Sequence, residues 1–381
     1  MKKDWEIKKL KDVCLKITDG THQTPKYFDD GYIFLSSKNV TSGKIDWDNI
    51  KYIDEKQHID MHKRVAPKVG DILLAKNGTT GVAAMVDRDV VFDIYVSLAH
   101  LSPLKNISPF YLLHFINSPL AKKQFNKRLK GSGVPNLHLE EIREVEIPLP
   151  PLPEQQRIVS ILDEAFAAIE KAKTNAEQNL KNTKELFDSY LQGVFEKKSD
   201  SWEEKTLNQI SENLDSKRIP ITKNIRNEGS IPYYGASGIV DYVADYLFDE
   251  DLLCISEDGA NLLARTYPIA FSISGKTWVN NHAHVLRFKN RVSQKFVELY
   301  LNSIKLDNFV SGMAQPKLNQ AMLNRIPIPF PKSIEIQKDI VQKLDALSAE
   351  TKRLEAIYQQ KILDLEELKK SVFQKAFNGE L

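Results

Sequence analysis

Two long stretches of the chain repeat apolar or small residues at helical spacing. Both alternate steps of four and three residues, which is the heptad spacing of coiled-coil helices. The first stretch has Ile158, Leu162, Ala165, Ile169, Ala172, Ala176, Asn179, Thr183, Leu186 and Tyr190 at these steps. The second has Ile340, Leu344, Leu347, Thr351, Leu354, Tyr358, Lys361, Leu365, Leu368 and Val372. Neither stretch contains proline, so the pattern predicts two uninterrupted helices.

The second helical stretch repeats the first. Residues 155–195 align with residues 337–377 at a constant offset of 182 without a gap, with 12 identities in 41 positions. A proline-rich segment precedes each stretch, at 147–153 and at 326–331, and reads as an extended lead-in because proline cannot continue a helix backwards. Shorter echoes lie further upstream, where WEIKKL at 5–10 is matched by WEEKTL at 202–207. The chain therefore reads as domain, helix, domain, helix.

The two blocks before the helices have a mixed pattern. Short apolar runs followed by glycine, at 69–75 and 251–256, predict buried strands, whereas 109–117 and 294–302 predict helices. We predict an α+β protein with two mixed α/β domains, at 1–152 and 198–334, and helical spacers at 153–197 and 335–381. The spacers are expected to form an antiparallel coiled coil with pseudo-two-fold symmetry, as a duplicated unit closing on itself would. The alternative is that each helical stripe packs only on its own domain.

Composition narrows the class of protein. The chain has 381 residues, of which 42% are hydrophobic and 27% charged, so it can bury cores and is long enough for two or three domains. A net charge of +2 means that any surface for a polyanion must be local. The two cysteines, Cys14 and Cys254, are too few for a disulfide framework, which fits a reducing compartment. With no apolar run near 20 residues and no signal peptide at the start, we expect a cytoplasmic protein.

One segment matches a relaxed phosphate-loop pattern. Residues 270–277 read AFSISGKT, but a phosphate loop needs a helix that begins at the Lys-Thr pair. The residues that follow, TWVNN at 277–281, read as strand or loop. We therefore interpret the segment as a Ser-Gly turn in a hairpin, and keep a nucleotide-binding enzyme built on Lys276 and Thr277 as an alternative.

Two histidine pairs have metal-ligand spacing. His58 and His62 are four residues apart, and His282 and His284 are two apart, which suits one helix face and one strand face. Neither pair has a third ligand at an evident spacing, so framework or surface histidine is the better interpretation. The chain also lacks the Asp/Asn-Pro-Pro-aromatic tetrapeptide of amino-methyl transfer, the HExxH helix and the GxSxG elbow. We predict no catalytic residues and no metal site.

Local basic clusters occur in both halves of the chain. The densest lies within nine residues that contain no carboxylate, and its cations are Lys122, Lys123, Lys127, Arg128 and Lys130. The second half has Lys217, Arg218, Lys223 and Arg226 in one run, and Arg287, Lys289, Arg291 and Lys295 in another. Such clusters can neutralise DNA phosphates, although a solvated surface would have the same composition.

The duplicated order and three short stretches resemble the specificity subunit of type I restriction-modification enzymes. The stretches are DGTHQTP at 19–25, GDIL at 70–73 and GSGVPNL at 131–137, and the first helix opens with QQRIV at 155–159. The resemblance covers nearly the whole chain. The second domain departs from it, because it has GMAQPKL at 312–318 and no Asp-Gly-Thr-His counterpart.

The resemblance implies a non-catalytic subunit that reads a bipartite, asymmetric site in double-stranded DNA, one half per domain, with the helices as a spacer. It also implies two methyltransferase subunits and restriction subunits as partners, with S-adenosylmethionine, ATP and Mg²⁺ bound on those partners and no cofactor here. The residues expected to face DNA are Thr21, His22, Thr24, Lys122, Lys123, Lys127, Arg128, Lys130, Lys217, Arg218, Arg287 and Lys317. A stand-alone or architectural DNA-binding protein is the alternative.

Overall fold

The computed structural model describes residues 5–40, 43–130, 136–196, 201–312 and 314–381. The chain divides into two units. The first unit runs to Ala176 and takes in Gln360–Leu381, and the second is Glu177–Gln359. Residues 131–135 of the GSGVPNL stretch and residue 313 of the GMAQPKL stretch lie outside the described residues.

The first unit contains nine strands among its described residues, and one end of each long helix. The strands are β1 Glu6–Lys9, β2 Cys14–Asp19, β3 Tyr32–Leu35, β4 Lys51–Ile53, β5 Ile72–Ala75, β6 Ala83–Met85, β7 Phe92–Ile94, β8 Leu98–Pro103 and β9 Glu146–Leu149. The helices are α1 Leu10–Val13, α2 Glu55–His62, α3 Pro109–Asn117, α4 Pro119–Arg128, α5 Leu139–Arg143 and α6 Leu152–Glu196, of which the last continues into the second unit.

Three sheets organise the first unit. Four antiparallel strands are ordered β2-β8-β5-β6, three more are ordered β4-β3-β7, and β1 pairs with β9. In the three-stranded sheet, β3 runs parallel to β7 and antiparallel to β4. The strand predicted at 69–75 is β5, which is buried throughout, and the helix predicted at 109–117 is α3. Pro109 at the start of α3 and the Ser108 side chain, which accepts from the Tyr111 N–H, explain why the helix begins there.

The second unit repeats this organisation. Its strands are β10 Trp202–Lys205, β11 Ser211–Asn213, β12 Ile231–Gly235, β13 Gly238–Val243, β14 Phe248–Asp249, β15 Leu252–Ser256, β16 Ala270–Ile273, β17 Lys276–Val279, β18 Ala283–Phe288 and β19 Ile328–Pro331. Its helices are α7 Leu207–Ile210, α8 Asn261–Ala264, α9 Arg291–Ser303, α10 Gln320–Leu323 and α11 Ile334–Asn378, of which the last continues into the first unit.

The sheets of the second unit match those of the first. Four antiparallel strands are ordered β11-β18-β15-β16, as β2-β8-β5-β6 are in the first unit, and β10 pairs with β19 as β1 pairs with β9. The remaining sheet, β13-β12-β17-β14, contains one parallel pair, β12 with β17, which corresponds to β3 with β7. The duplication predicted from the sequence is therefore a duplication of fold.

The turn at Gly275 does not form the hairpin that we predicted. Gly275 has a φ of +68°, in the region that favours glycine. The strands on its two sides belong to different sheets, because β16 pairs with β15 whereas β17 pairs with β12 and β14. Lys276 and Thr277 begin strand β17 rather than a helix, so this segment lacks the helix N-terminus that a phosphate loop uses.

The long helices α6 and α11 are equal in length, at 45 residues each. Within the first unit they pair antiparallel, because residue numbers on α11 fall as those on α6 rise. The Phe166 and Phe373 ring centroids are 4.5 Å apart, and Lys173 Nζ lies 2.8 Å from Glu366 Oε1. Despite the length of these two helices, the described part of the chain contains no helix apolar enough to cross a membrane.

The buried stripe of each helix follows the predicted heptad positions only in part. Along α6, Ile158, Leu162, Ile169 and Ala176 are buried as expected, but Leu186 is exposed. The stripe then moves by one position, so that Leu191 and Phe195 are buried instead. On α11, Leu368 is likewise exposed, whereas Phe373, Ala376 and Phe377 are buried.

The shift has a packing reason. Phe377 contacts Tyr111 and Phe115 of α3, and Phe195 contacts Phe296 and Tyr300 of α9. Aromatic side chains bury a large apolar surface, so docking them in the globular core outweighs strict continuation of the heptad seam. These aromatic contacts join the end of each helix to the domain that does not precede it. Each helix also packs on its own domain, as the alternative predicted, because Ile158 and Leu162 of α6 belong to the first core and Val341 and Leu344 of α11 to the second.

Candidate nucleic-acid interface

A short loop after β2 presents exposed polar side chains from a rigid base. The N–H of Thr21 donates to the Ile94 carbonyl at 3.0 Å, and the Thr21 carbonyl accepts from the Val96 N–H at 2.9 Å. At Gly20, an added Cβ would lie 1.9 Å from the Ile94 oxygen, so the close approach of the two backbones requires glycine. Thr21 is buried, whereas His22 and Thr24 are exposed. Of the three predicted contact residues in this loop, the last two are available to a ligand.

A buried carboxylate anchors this loop. Asp19 accepts hydrogen bonds from Lys76 Nζ at 2.6 Å and from Arg64 Nη2 at 2.5 Å, and His22 Nε2 lies 3.3 Å away. Burial alone would raise the pKa of Asp19, but the hydrogen bonds from the two cations outweigh it and lower the pKa below its ordinary value. The exposed His22 is therefore held beside a fixed cluster of charges.

The anchoring carboxylate makes stability depend on acid pH. Because the pKa of Asp19 is lower in the folded protein than in the unfolded chain, its contribution is present above about pH 3.9, the ordinary value, and is lost as the pH falls through the folded value. We expect thermal stability to drop steeply below about pH 4, and Asp19→Asn to make that drop shallower. Melting temperatures measured by circular dichroism between pH 3 and pH 7 check this. An equally steep drop in Asp19→Asn and in the exposed-site control Asp89→Asn would contradict it.

Helix α4 carries the predicted basic cluster of the first unit. Lys122, Lys123 and Lys127 are exposed, and none of them has an ion pair among the described residues. With Lys369 and Lys370 of α11 they line a groove of about 1140 Å³, and Phe166 and Phe373 contribute apolar surface to it. The exposed lysines of α4 are thus free to neutralise an anionic ligand.

The other two cations of this cluster have internal partners. Arg128 donates from Nη1 to the Gln124 carbonyl at 3.1 Å and from Nη2 to the Glu144 carbonyl at 3.5 Å. Lys130 Nζ lies 2.6 Å from Glu141 Oε1. The expected DNA contact of these two residues stays a prediction. The exposed lysines of α4 are better placed to contact DNA, because among the described residues they have no internal ion pair to give up.

In the second unit, two predicted contact residues meet at one carboxylate. Glu257 accepts from Arg218 Nη1 at 2.7 Å and pairs with Lys317 Nζ at 3.2 Å. Beside it, His284 Nδ1 lies 2.6 Å from Asp215 Oδ2. Burial would raise the pKa of Asp215, but the hydrogen bond to His284 and other nearby partners lower it overall. Arg218 is largely buried in this cluster, whereas the Lys317 side chain is half exposed.

Glu257, with Arg218 and Lys317 around it, occupies the place that Lys76 has beside Asp19 in the first unit. The Leu318 N–H donates to the Glu257 carbonyl at 2.8 Å, as the Leu137 N–H donates to the Lys76 carbonyl at 2.9 Å. The same backbone position therefore carries a buried cation in one domain and an anion in the other. The two domains share a framework in which this one position carries opposite charge.

Two further predicted contacts lie elsewhere in the second unit. Arg287 is clamped by Glu250, at 2.5 Å and 2.6 Å, and by Glu212 at 2.9 Å. These hydrogen bonds raise the pKa of Arg287 further above its ordinary value. Lys217 is exposed and forms no ion pair within the described ranges. Of the two, Lys217 is the one that can reach a phosphate without losing an internal partner.

Sequence reasoning missed an exposed aromatic surface in each unit. In the first, Lys26 lies over the Phe28 ring and Lys51 over the Tyr27 ring, with cation-to-centroid distances of 5.6 Å and 5.9 Å. In the second unit, β13 exposes Ile239, Val240 and Tyr242, and Tyr246 is exposed between β13 and β14. Aromatic residues next to cations suit contact with DNA bases and backbone. The sequence places two aromatic residues beside a lysine at 26–28, but nothing local distinguishes exposed aromatic residues from core ones.

The two histidine pairs also differ from expectation. His58 and His62 do have a third potential ligand close by, because β7 brings the buried Asp93 to within 2.7 Å and 3.1 Å of their Nδ1 atoms. Among the described residues, His282 and His284 do not share a partner that could form a common metal site. His282 is paired with Asp258, whereas His284 is buried against Asp215 and the Leu318 carbonyl.

The structure has two similar domains, joined to paired long helices, and each has exposed basic and aromatic surfaces. These features indicate a protein with two nucleic-acid-binding domains. The family model described as "Type I restriction modification DNA specificity domain" matches residues 2–178 and 199–363. The chain therefore belongs to this family, and the match occurs once in each duplicated half.

Individual relatives agree with the family. A putative type I restriction enzyme specificity subunit of Haemophilus influenzae is 36% identical over 163 residues, which is 43% of this chain and 41% of that protein. The putative MjaX specificity subunit of Methanocaldococcus jannaschii is 26% identical over 90% of this chain and 87% of its own length. The StySPI specificity subunit of Salmonella potsdam is 21% identical over 96% of this chain and 86% of that protein.

Solved structures share the fold. A chain from a study of complex assembly and conformational transition of a type I restriction-modification system superposes with a TM-score of 0.78, at 19% identity, covering 99% of this chain and 98% of that chain. The HsdS subunit of Thermoanaerobacter tengcongensis gives a TM-score of 0.65 at 19% identity, covering 100% of this chain and 98% of its own. The α+β architecture with paired long helices is thus confirmed.

Proposed function

We propose that this chain recognises a bipartite, asymmetric sequence in double-stranded DNA and directs partner subunits to it. The observation that carries the proposal is a repeated fold with unlike exposed side chains: the first unit exposes His22 and Thr24 after β2, whereas the second exposes Tyr242 on β13. Repetition of the fold supplies two readers, and divergence of their surfaces makes the two halves of the target different.

The exposed surfaces suit a division between positioning and reading. Lysines that contact phosphate fix the position of a protein on the duplex, whereas base edges in the major groove carry the sequence. In the first unit, α4 offers the former, and the loop with His22 and Thr24 offers hydrogen-bonding groups for the latter. In the second, Lys217 and the exposed Tyr242 provide the two kinds of contact. Each unit can therefore hold and read its own half-site.

Catalysis is proposed to reside on other chains. Two methyltransferase subunits would bind S-adenosylmethionine and modify adenine, and restriction subunits would use ATP and Mg²⁺. This chain would select the DNA site at which the partner subunits act. It would do so in the cytoplasm, where the chromosome lies. Its membership in the specificity family supports a recognition role.

The test is to map modified adenines in a host that produces this chain with its methyltransferase subunits. We expect one two-part motif that disappears when this chain is omitted. His22→Ala with Thr24→Ala should relax base preference in one part of the motif by about 10- to 100-fold, since a good base contact is worth about 1–3 kcal/mol. Tyr242→Ala should affect only the other part. A palindromic motif, or loss of both parts in either variant, would overturn the proposal.

A further inference from the structure

We propose that His58, His62 and Asp93 form a binding site for one divalent transition-metal ion of the zinc class. The two histidines lie one turn apart on α2, and Asp93 lies on the neighbouring strand β7. One potential ligand atom from each residue lies within 4.8 Å of the others. Two imidazoles and one carboxylate, with a water as fourth ligand, are a donor set that zinc accepts.

The spacing of the donor atoms suits tetrahedral coordination. Both rings turn Nδ1 toward the same carboxylate, with Nδ1–O distances of 2.7 Å for His58 and 3.1 Å for His62. With zinc–ligand bonds of about 2.0–2.1 Å, neighbouring ligands of a tetrahedral ion are about 3.3 Å apart. An ion can therefore take the place of these two hydrogen bonds with small movements of the side chains.

The charge around Asp93 favours a cation. Asp93 is 1% exposed, and among the described residues its side chain is bonded only to the two imidazoles. Burying a carboxylate is costly unless it is well paired, and a divalent ion would be a strong positive partner for it. The other group of three potential ligands, Asp215, Glu257 and His284, differs because Arg218 and Lys317 already neutralise its carboxylates.

The site is also held in shape and open to solvent. The His58 ring stacks on Tyr32, with centroids 3.8 Å apart and planes inclined by 8°. The Asp54 side chain caps α2 by accepting from the Gln57 N–H. The His62 side chain is 30% exposed, which leaves a path for the ion and room for a water ligand. Preorganised ligands on a helix and a strand are what a metal site requires.

Metal binding would fasten α2 to β7. Gln57, next to His58 on α2, accepts from the Lys26 N–H at 2.8 Å and donates to the Lys26 carbonyl at 3.0 Å. The ion would therefore also steady the segment that carries Lys26 and Phe28. Any effect of the ion on DNA binding rests on the proposed function. The binding of the ion itself does not.

The experiment is a zinc titration of the purified, metal-stripped full chain by competition with a chromophoric chelator. We expect one ion per chain with a dissociation constant of about 1 μM or lower, and an upward shift of the melting temperature with added zinc. His62→Ala should weaken binding at least about 100-fold, because it removes one of three protein ligands. His138→Ala, which removes an exposed histidine elsewhere in the first unit, should leave the affinity unchanged. Mg²⁺ at millimolar concentration should not compete.

Cobalt substitution gives a second measurement, which reports the coordination of the ion directly by absorption. Co²⁺ bound in place of zinc should give the visible absorption of a four-coordinate site, and His62→Ala should abolish that band. No binding by the wild-type chain at 100-fold excess zinc over about 1 μM, or equal binding by wild type and His62→Ala, would overturn the proposal. These results are independent of the methylated motif, so failure here leaves the DNA-recognition proposal standing.

Discussion

Replacing Lys122, Lys123 and Lys127 together by glutamine is expected to lower DNA affinity about 100- to 1,000-fold at 0.1 M salt, whatever the DNA sequence. All three lysines lie on α4, are exposed, and have no ion pair within the described part of the chain. Each phosphate contact contributes about 0.9 to the slope of log affinity against log salt, so three lost contacts should reduce that slope by about 2.7. Glutamine is a good helix former with a polar side chain one atom shorter than that of lysine, so the change mainly removes charge.

Binding should be measured by fluorescence anisotropy at several salt concentrations, with the partner subunits present. The matched control is Lys184→Gln with Lys338→Gln and Lys352→Gln, which removes the same charge from exposed positions on α6 and α11. The control should keep the slope within experimental error. Equal losses in the two triple variants would mean that net charge rather than the surface of α4 determines binding.

Phe377→Ala is expected to destabilise the first unit by about 3–5 kcal/mol, the usual loss for a large aromatic residue in a core. Phe377 is fully buried, and its ring centroid lies 5.4 Å from those of Tyr111 and Phe115. The substitution leaves a cavity where the end of α11 meets α3. Because native proteins are only about 5–15 kcal/mol stable, such a loss can open the unit at physiological temperature.

Hydrogen exchange resolved by peptide distinguishes this effect from general unfolding. Protection should fall in α3 and in the strands of the first unit, while α9 in the second unit keeps its protection. Leu368→Ala, on the same helix but with a side chain that is 48% exposed, should change stability by less than about 1 kcal/mol. Similar losses in the two variants would show that the effect does not come from the packing of Phe377 in the core, since alanine favours the helix at both positions.

Features set by local pattern were predictable from the sequence. The repeat at an offset of 182 located both long helices, and the structure gives them the same offset, from Leu152 to Ile334 and from Glu196 to Asn378. Helix α3 and strand β5 were predicted because Pro109 and a run of apolar residues are signals contained within a few residues. These elements needed no knowledge of distant partners.

Features that depend on long-range contacts were not predictable. Asp93 meets His58 and His62 only because β7 lies beside α2, and no spacing in the sequence announces that neighbour. The internal pairing of Arg218 with Glu257 is of the same kind. The heptad count also failed near the ends of the helices, because Phe195 and Phe377 follow the globular core rather than the partner helix.

The first unit is built from two chain segments that are separated by the second unit, and this sets an order of folding events during protein synthesis. Its core joins Tyr111 and Phe115 to Phe373 and Phe377, which are translated only after the whole of the second unit. While the ribosome is still translating the second unit, the first therefore has an open apolar surface where α11 will later dock. A chaperone that shields such surfaces would bind there, and the first unit gains its full protection from proteolysis only once α11 has been translated and has docked.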